Sequence, residues 1–129
     1  ALIQVSVTTE SGCLNSMGGL VFGLKNITNF FVLCLDALEK NISLFEFLKG
    51  KPVRHVVEEK PIHSGKAHVL AVRVEGSLVN GYVDDEAVIR FDAEKSLDGY
   101  VGLWTKADAK VYFDDLTILN GEEKRVAAC

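Results

Sequence analysis

Long apolar runs are missing from this sequence, and so are basic clusters; cysteine and proline are scarce. No apolar stretch approaches the ~20 residues that a membrane-spanning helix requires. Lys124-Arg125 is the one adjacent basic pair, and it follows Glu122-Glu123 in a chain of formal net charge -4. Nucleic acid needs a basic footprint from which counterions are released, and a polybasic membrane anchor needs a cluster of Lys and Arg. Neither partner is expected. Cys13, Cys34 and Cys129 are too few, and odd in number, for a disulfide scaffold, and no CxxC or zinc-like His spacing accompanies them. They read as free thiols, Cys34 as a small buried hydrophobe; a single disulfide is the alternative that spacing leaves open. The opening Ala1-Leu2-Ile3 shows no basic signal-peptide region, which fits a leader already removed or a piece that starts within a longer protein. Asn26-Ile27-Thr28 and Asn41-Ile42-Ser43 match the glycosylation sequon, a pattern that matters in a eukaryotic secretory setting.

What the sequence does contain is a 48% hydrophobic share, too high for disorder, in a length suited to one domain with one core. Turn formers recur at Gly18-Gly19, Asn29, Asn41, Gly50, Pro61 with Ser64-Gly65, Gly76-Ser77, Asp84-Asp85, Asp98-Gly99, Ala107-Asp108 and Asn120-Gly121. Turn signals about 8–12 residues apart mark an all-β sandwich or barrel. Between them the apolar residues alternate. Val5 and Val7 oppose Ser6 and Thr8; His68, Leu70, Val72 and Val74 oppose Arg73 and Glu75; Val79, Gly81 and Val83 oppose Asn80, Tyr82 and Asp84. Such alternation gives each strand one buried and one accessible side. Leu35, Leu38, Ile42, Phe45 and Leu48 also fit a helical spacing, but Phe30, Phe31, Val32 and Ile42 favour β structure. The preferred reading is two strands, Asn29–Asp36 and Asn41–Leu48, about a turn near Leu38–Lys40. A short helical turn is expected near Ala93–Ser96. Residues 1–119 read as a single β-sandwich domain and residues 120–129 as a polar C-terminal tail.

Certain segments carry a resemblance. They begin with Gly19-Leu20-Val21-Phe22, Asn29-Phe30-Phe31, Leu35-Asp36-Ala37-Leu38-Glu39 and Gly50-Lys51. His68 with Leu70-Ala71-Val72-Arg73-Val74, then Tyr82-Val83-Asp84, continue the succession. It closes with Val101-Gly102-Leu103-Trp104-Thr105-Lys106-Ala107-Asp108 and Tyr112-Phe113-Asp114-Asp115, the most specific part. This order resembles concanavalin A-like jelly-roll domains, in particular the bacterial group related to 3-keto-disaccharide hydrolase-like domains. The resemblance implies a two-sheet antiparallel jelly-roll sandwich, secreted or periplasmic, associated with sugar-acting proteins. The chain departs from that group in places. Relatives commonly carry a basic residue at Gly23 and Cys34, Tyr at Phe30 and Phe31, and Trp at Ala67. The sheet face is therefore more apolar here, suited to burial against a partner or an apolar ligand. Relatives also have an opening strand or two upstream of Leu2. Without it, an exposed edge is expected, which Ala1–Thr9 or a neighbouring strand would pair across a homo-dimer contact.

Sugar-cleaving sandwiches need two carboxylates about 5 Å or about 6.5–9.5 Å apart. No Glu-x-Asp-x-Glu array is present, Asp36 and Glu39 straddle a turn, and no Gly-x-Ser-x-Gly elbow appears. Of the histidines, His68 has the buried phase and reads as a satisfied core residue, while His63 falls in a turn and His55 offers no zinc spacing. A structural calcium, if bound, would draw on Asp114 or Asp115 at the start of the last strand. Turn chemistry alone also accounts for these acids and for Asp84-Asp85-Glu86. Tyr100 and Trp104 share a phase, as do Asn80 and Tyr82. If their strands share a sheet, Asn80, Tyr82, Tyr100 and Trp104 line one ligand face, with Lys106 and Asp108 on the adjoining loop; otherwise the single Trp fills the core or an edge. Phe113 and Leu116 fall on opposite phases of one strand, which points to a bulge near Asp114-Asp115 or to a different strand register. The function expected is a non-catalytic recognition module with a glycan ligand. The alternatives are a hydrolase acting on a disaccharide or glycan, and a structural or interaction domain that oligomerises through a sheet edge.

Overall fold

The alternating segments of the sequence become strands in the computed structural model, which describes residues 2–10, 17–106, 109–119 and 126–128 and holds no helix among them. In chain order they are β1 (Leu2–Thr9), β2 (Met17–Asn26), β3 (Asn29–Asp36), β4 (Asn41–Leu48), β5 (Lys51–Glu59) and β6 (Ala67–Glu75). They continue as β7 (Leu78–Val83), β8 (Glu86–Asp92), β9 (Tyr100–Thr105), β10 (Val111–Leu119) and β11 (Val126–Ala128). One sheet has the order β10-β1-β6-β7-β8 and the other β11-β9-β2-β3-β4-β5. Neighbours are antiparallel, except that β11, within the stretch read as a polar tail, runs parallel to β9. The result is a two-sheet antiparallel sandwich of the jelly-roll type.

The inner faces are the apolar phases. Leu20, Leu33, Leu35 and Leu44 from the six-stranded sheet meet Leu70, Val72, Val79 and Val83 from the other, all fully buried. Each such side chain stabilises the fold by roughly 1.5–3 kcal/mol through removal from water. The outer face of the five-stranded sheet is polar: Arg73 pairs with Asn80, and Asn80 with Arg90.

The strands of residues 29–36 and 41–48 form the hairpin expected of them, with Leu35 opposite Ile42. Leu38, which a helix would have buried, is exposed in the turn. Asp36 Oδ1 accepts the N–H groups of Leu38 and Glu39 there, at 3.0 and 3.1 Å. Asp84 and Asp85 make the β7–β8 hairpin with φ of +49° and +68°, a conformation that short polar side chains tolerate. The bulge at Asp114-Asp115 is present: Gln4 faces Thr117 while Ser6 faces Asp114, and Asp115 has φ +55°.

Three expectations are corrected. Gly18-Gly19 is not a turn but lies inside β2, where a Cβ on Gly19 would come within 2.8 Å of Cys34 Cβ. Residues Ala93–Ser96 form no helical turn; they belong to an irregular connection whose Ala93 and Leu97 plug the end of the core. Nor is β1 an edge. It lies between β10 and β6, so its backbone groups are already paired on both sides; of the strands expected to make the contact, only a neighbour such as β10, at the end of that sheet's order, has a side to offer.

Candidate functional site on the outer face of the six-stranded sheet

Period two sends Phe31, Leu33 and Leu35 of β3 inward and leaves Phe30, Val32 and Cys34 pointing out. On β4 the outward phase holds Ser43, Phe45 and Phe47. On β2 it holds Met17 and Val21, and on β9 it holds Trp104. Met17, Val21, Val32 and Cys34 are buried in a second apolar cluster, with Phe30, Phe45, Phe47 and Trp104 packed around them. Antiparallel pairing sets Phe30 opposite Phe47, and their rings stack at 4.6 Å between centroids. Trp104 tilts against Phe47 at 6.3 Å. The Arg54 guanidinium lies 5.0 Å from the centre of the Phe45 ring.

Met17, Phe45, Phe47, Arg54 and Trp104, with Pro52 and Lys106, line a hollow of about 350 Å³. A second hollow of about 260 Å³ shares Phe47 and extends past Phe30 toward Lys25, Asn26 and Asn29. The face is thus an aromatic floor edged by cations. A larger space of about 580 Å³ lies elsewhere, at the sandwich end beneath residues 93–99, between Ile3, Phe22 and Val101. Ser77, Glu94, Lys95, Ser96 and Asp98 also line it, and no aromatic floor comparable to that of the outer face is among its lining residues.

A bulge in β5 separates Arg54 from its neighbour. Phe45 pairs with Arg54 but Leu44 pairs with Val56, so His55 is the extra residue and turns inward. Its Nε2 meets Glu46 Oε1 at 2.7 Å, and Lys95 Nζ donates to Glu46 Oε2 at 2.6 Å. The Phe91 ring of the opposite sheet stacks on His55 at 4.6 Å. Burial pushes the Glu46 carboxyl upward in pKa, but the bonds from Lys95 and His55 outweigh it and hold the group below its ordinary 4.5. A lowered carboxyl stabilises the fold above its unfolded pKa and loses that contribution as pH falls through the lowered value. The urea midpoint is therefore expected to fall once pH drops below about 4.5. Glu46→Gln should cost about 1–2 kcal/mol near neutrality and flatten that acid limb; an unchanged midpoint–pH curve in the variant would count against the network.

His68 is a satisfied core residue. Its Nδ1 meets Asp84 Oδ2 at 2.8 Å, and its Nε2 accepts the His63 N–H at 3.2 Å, an arrangement that requires the neutral ring with its proton on Nδ1. Cys34 is a free, buried thiol, pushed up to about 12 by burial and then by the Asp36 charge. It should resist iodoacetamide in the folded protein and react in urea, as peptide mapping by mass spectrometry would show.

Of the residues expected to make the site, the fold brings Trp104 and Lys106 into the hollow. Tyr100 shares the outward phase of β9, opposite Leu24, but lines neither hollow. Asn80 and Tyr82 belong to the other sheet, on β7, so the whole sandwich lies between them and Trp104: the expected four-residue face does not exist. Asp108 lies outside the described residues. Asp114 and Asp115 are exposed, and Asp114 Oδ1 accepts the Asp115 N–H at 2.9 Å within the bulge. Among the described residues no group of three or more His, Cys, Asp or Glu side chains converges on a point suited to a metal. The apolar set Gly23, Phe30, Phe31 and Cys34 is divided: Phe30 and Cys34 face out, Phe31 joins the core, and Gly23 bends β2 at φ +58°. Phe45, Phe47 and Arg54 were not anticipated.

The fold and the face together describe a two-sheet antiparallel sandwich of the jelly-roll type with aromatic side chains on one outer face. Among solved structures, the chain is similar to the carbohydrate-binding module CBM66 from Bacillus subtilis, at 25% identity and TM-score 0.81, over 89% of this chain and 71% of that one. It is also similar to the Caenorhabditis elegans galectin LEC-6, at 10% identity and TM-score 0.68, over 91% and 81% of the two chains. Sheep galectin-11, solved in complex with glycerol, gives 10% identity and TM-score 0.68 over 90% and 86%. The galectin likenesses show the fold alone, and kinship with the 3-keto-disaccharide hydrolase-like group has no counterpart among these three. No family model matches the sequence, and no curated protein matches it.

Proposed function

We propose that the protein is a non-catalytic carbohydrate-recognition module whose ligand lies across the outer face of the six-stranded sheet. The observation that carries this reading is the hollow floored by Phe45, Phe47 and Trp104, on a sandwich similar to a carbohydrate-binding module. A sugar ring presents C–H faces that pack on aromatic rings, while its hydroxyls take hydrogen bonds from groups at the rim. Arg54 and Lys106 supply such donors. Glycoside hydrolysis needs two carboxylates, and among the described residues none lines this hollow. Binding without turnover is the expected chemistry.

A glycan array probed with the folded protein is the direct test. Retention on at least one glycan class, with quenching of the single Trp in a titration of that glycan, is the result expected. Failure to retain any glycan, combined with a solution dimer that hides Trp104 from quenchers, would instead establish an interaction domain.

A further inference from the structure

We infer that the saccharide held on this face is acidic, a sugar bearing a uronate carboxylate that Arg54 grips with Lys106 beside it; the inference deepens the carbohydrate reading and rests on it. The chain carries 18 acidic residues against 14 basic ones, yet among the described residues the charged side chains lining the aromatic hollow are Arg54 and Lys106. The adjoining hollow adds Lys25, whose ammonium donates to the Asp98 carbonyl, while Lys95 and Glu46 there neutralise each other as an ion pair. That acid is already committed, one oxygen to His55 and the other to Lys95. Asp36, at the far end of the outward row of β3, has its Oδ1 engaged by two backbone N–H groups of its turn. Among the described residues the aromatic hollow is therefore lined by positive charge within an acidic protein.

Neither Arg54 nor Lys106 forms an ion pair among the described residues. Both line the same hollow, beside the rings of Phe45, Phe47 and Trp104. Arg54 is also supported over the Phe45 ring. A guanidinium held in this way keeps its planar fork for a carboxylate, with which it makes two parallel hydrogen bonds, while a Lys ammonium adds a point charge. Rings below and cations at the rim together match a pyranose that carries one carboxylate.

The test is calorimetry with hexamers of galacturonate, mannuronate and glucuronate, each beside its methyl ester, which keeps ring and hydroxyls and removes the charge. At least one acid should bind ten-fold or more tightly than its ester, and weaken as NaCl rises from 50 to 500 mM. Arg54→Gln should lose ten-fold or more for the acid and little for the ester. Lys106→Gln, exposed after β9, should lose less in the same direction. Esters bound as tightly as acids, sulfated sugars preferred to uronates, or an Arg54→Gln variant with unchanged acid affinity would each overturn the inference while Trp104-dependent sugar binding stands. Absence of binding to every glycan, neutral or acidic, would remove the carbohydrate reading itself.

Discussion

Replacing Gly19 with alanine is expected to destabilise the fold by about 3 kcal/mol, a large share of the roughly 5–15 kcal/mol that holds a domain together. The new Cβ would collide with the Leu33 carbonyl oxygen and stand 2.8 Å from Cys34 Cβ and 2.9 Å from Cys34 Cα. Backbone and Cβ atoms have no rotamer by which to retreat. Because β2 is paired with β3 on one side and β9 on the other, it cannot slide away without breaking ladder hydrogen bonds at about 1 kcal/mol each. Urea denaturation should show the midpoint falling by roughly 1–3 M, given slopes near 1–3 kcal/mol per M. Gly50→Ala is the comparison: its Cβ meets nothing within 4 Å, and only its φ of +79° opposes the change. That should cost about 1 kcal/mol. Equal midpoints for the two variants would contradict the close β2–β3 approach. Gly19 also lies between Cys34 and Trp104 in the sheet, so the same absence of a side chain keeps the floor of the site flat.

Trp104→Ala should weaken sugar binding by at least about 30-fold, the equivalent of roughly 2 kcal/mol, because truncation of a central aromatic anchor typically costs that much or more. The indole packs on the Phe47 ring and lines the hollow beside Lys106, so its loss removes both stacking area and shape. Trp104→Phe should retain most of the affinity. Trp104 is only partly buried, and the alanine variant is expected to fold; circular dichroism would verify that before calorimetry. Affinity within about three-fold of the parent protein would place the ligand elsewhere, with the polar face around Asn80 and Tyr82 the next to probe.

Much of this arrangement was legible in the residues. The alternations of residues 68–74 and 79–83 identified buried phases that the core reproduces, and the clash of phase between Phe113 and Leu116 announced the bulge at Asp115. Trp104 reads as outward by the phase it shares with Tyr100 and Lys106 by its place on the adjoining loop, and both line the hollow. Phe47 carried a usable signal as well. Once residues 29–36 and 41–48 are read as a hairpin, antiparallel pairing alone sets Phe30 against Phe47, two aromatics on one outward row. Arg54 had none, because the bulge at His55 changes the phase of β5 and no local pattern marks it.

Side-chain period and turn chemistry are local, so the amino-acid sequence by itself determined most strands, the face residues occupy along the regular ones, and the hairpin neighbours. Which sheet a strand joins depends on partners far away in the chain, chosen because that assembly buries every apolar face at once. Only the tertiary structure therefore parted Asn80 and Tyr82 from Trp104, set β1 between β10 and β6, and drew Phe47, Arg54 and Trp104 around one hollow.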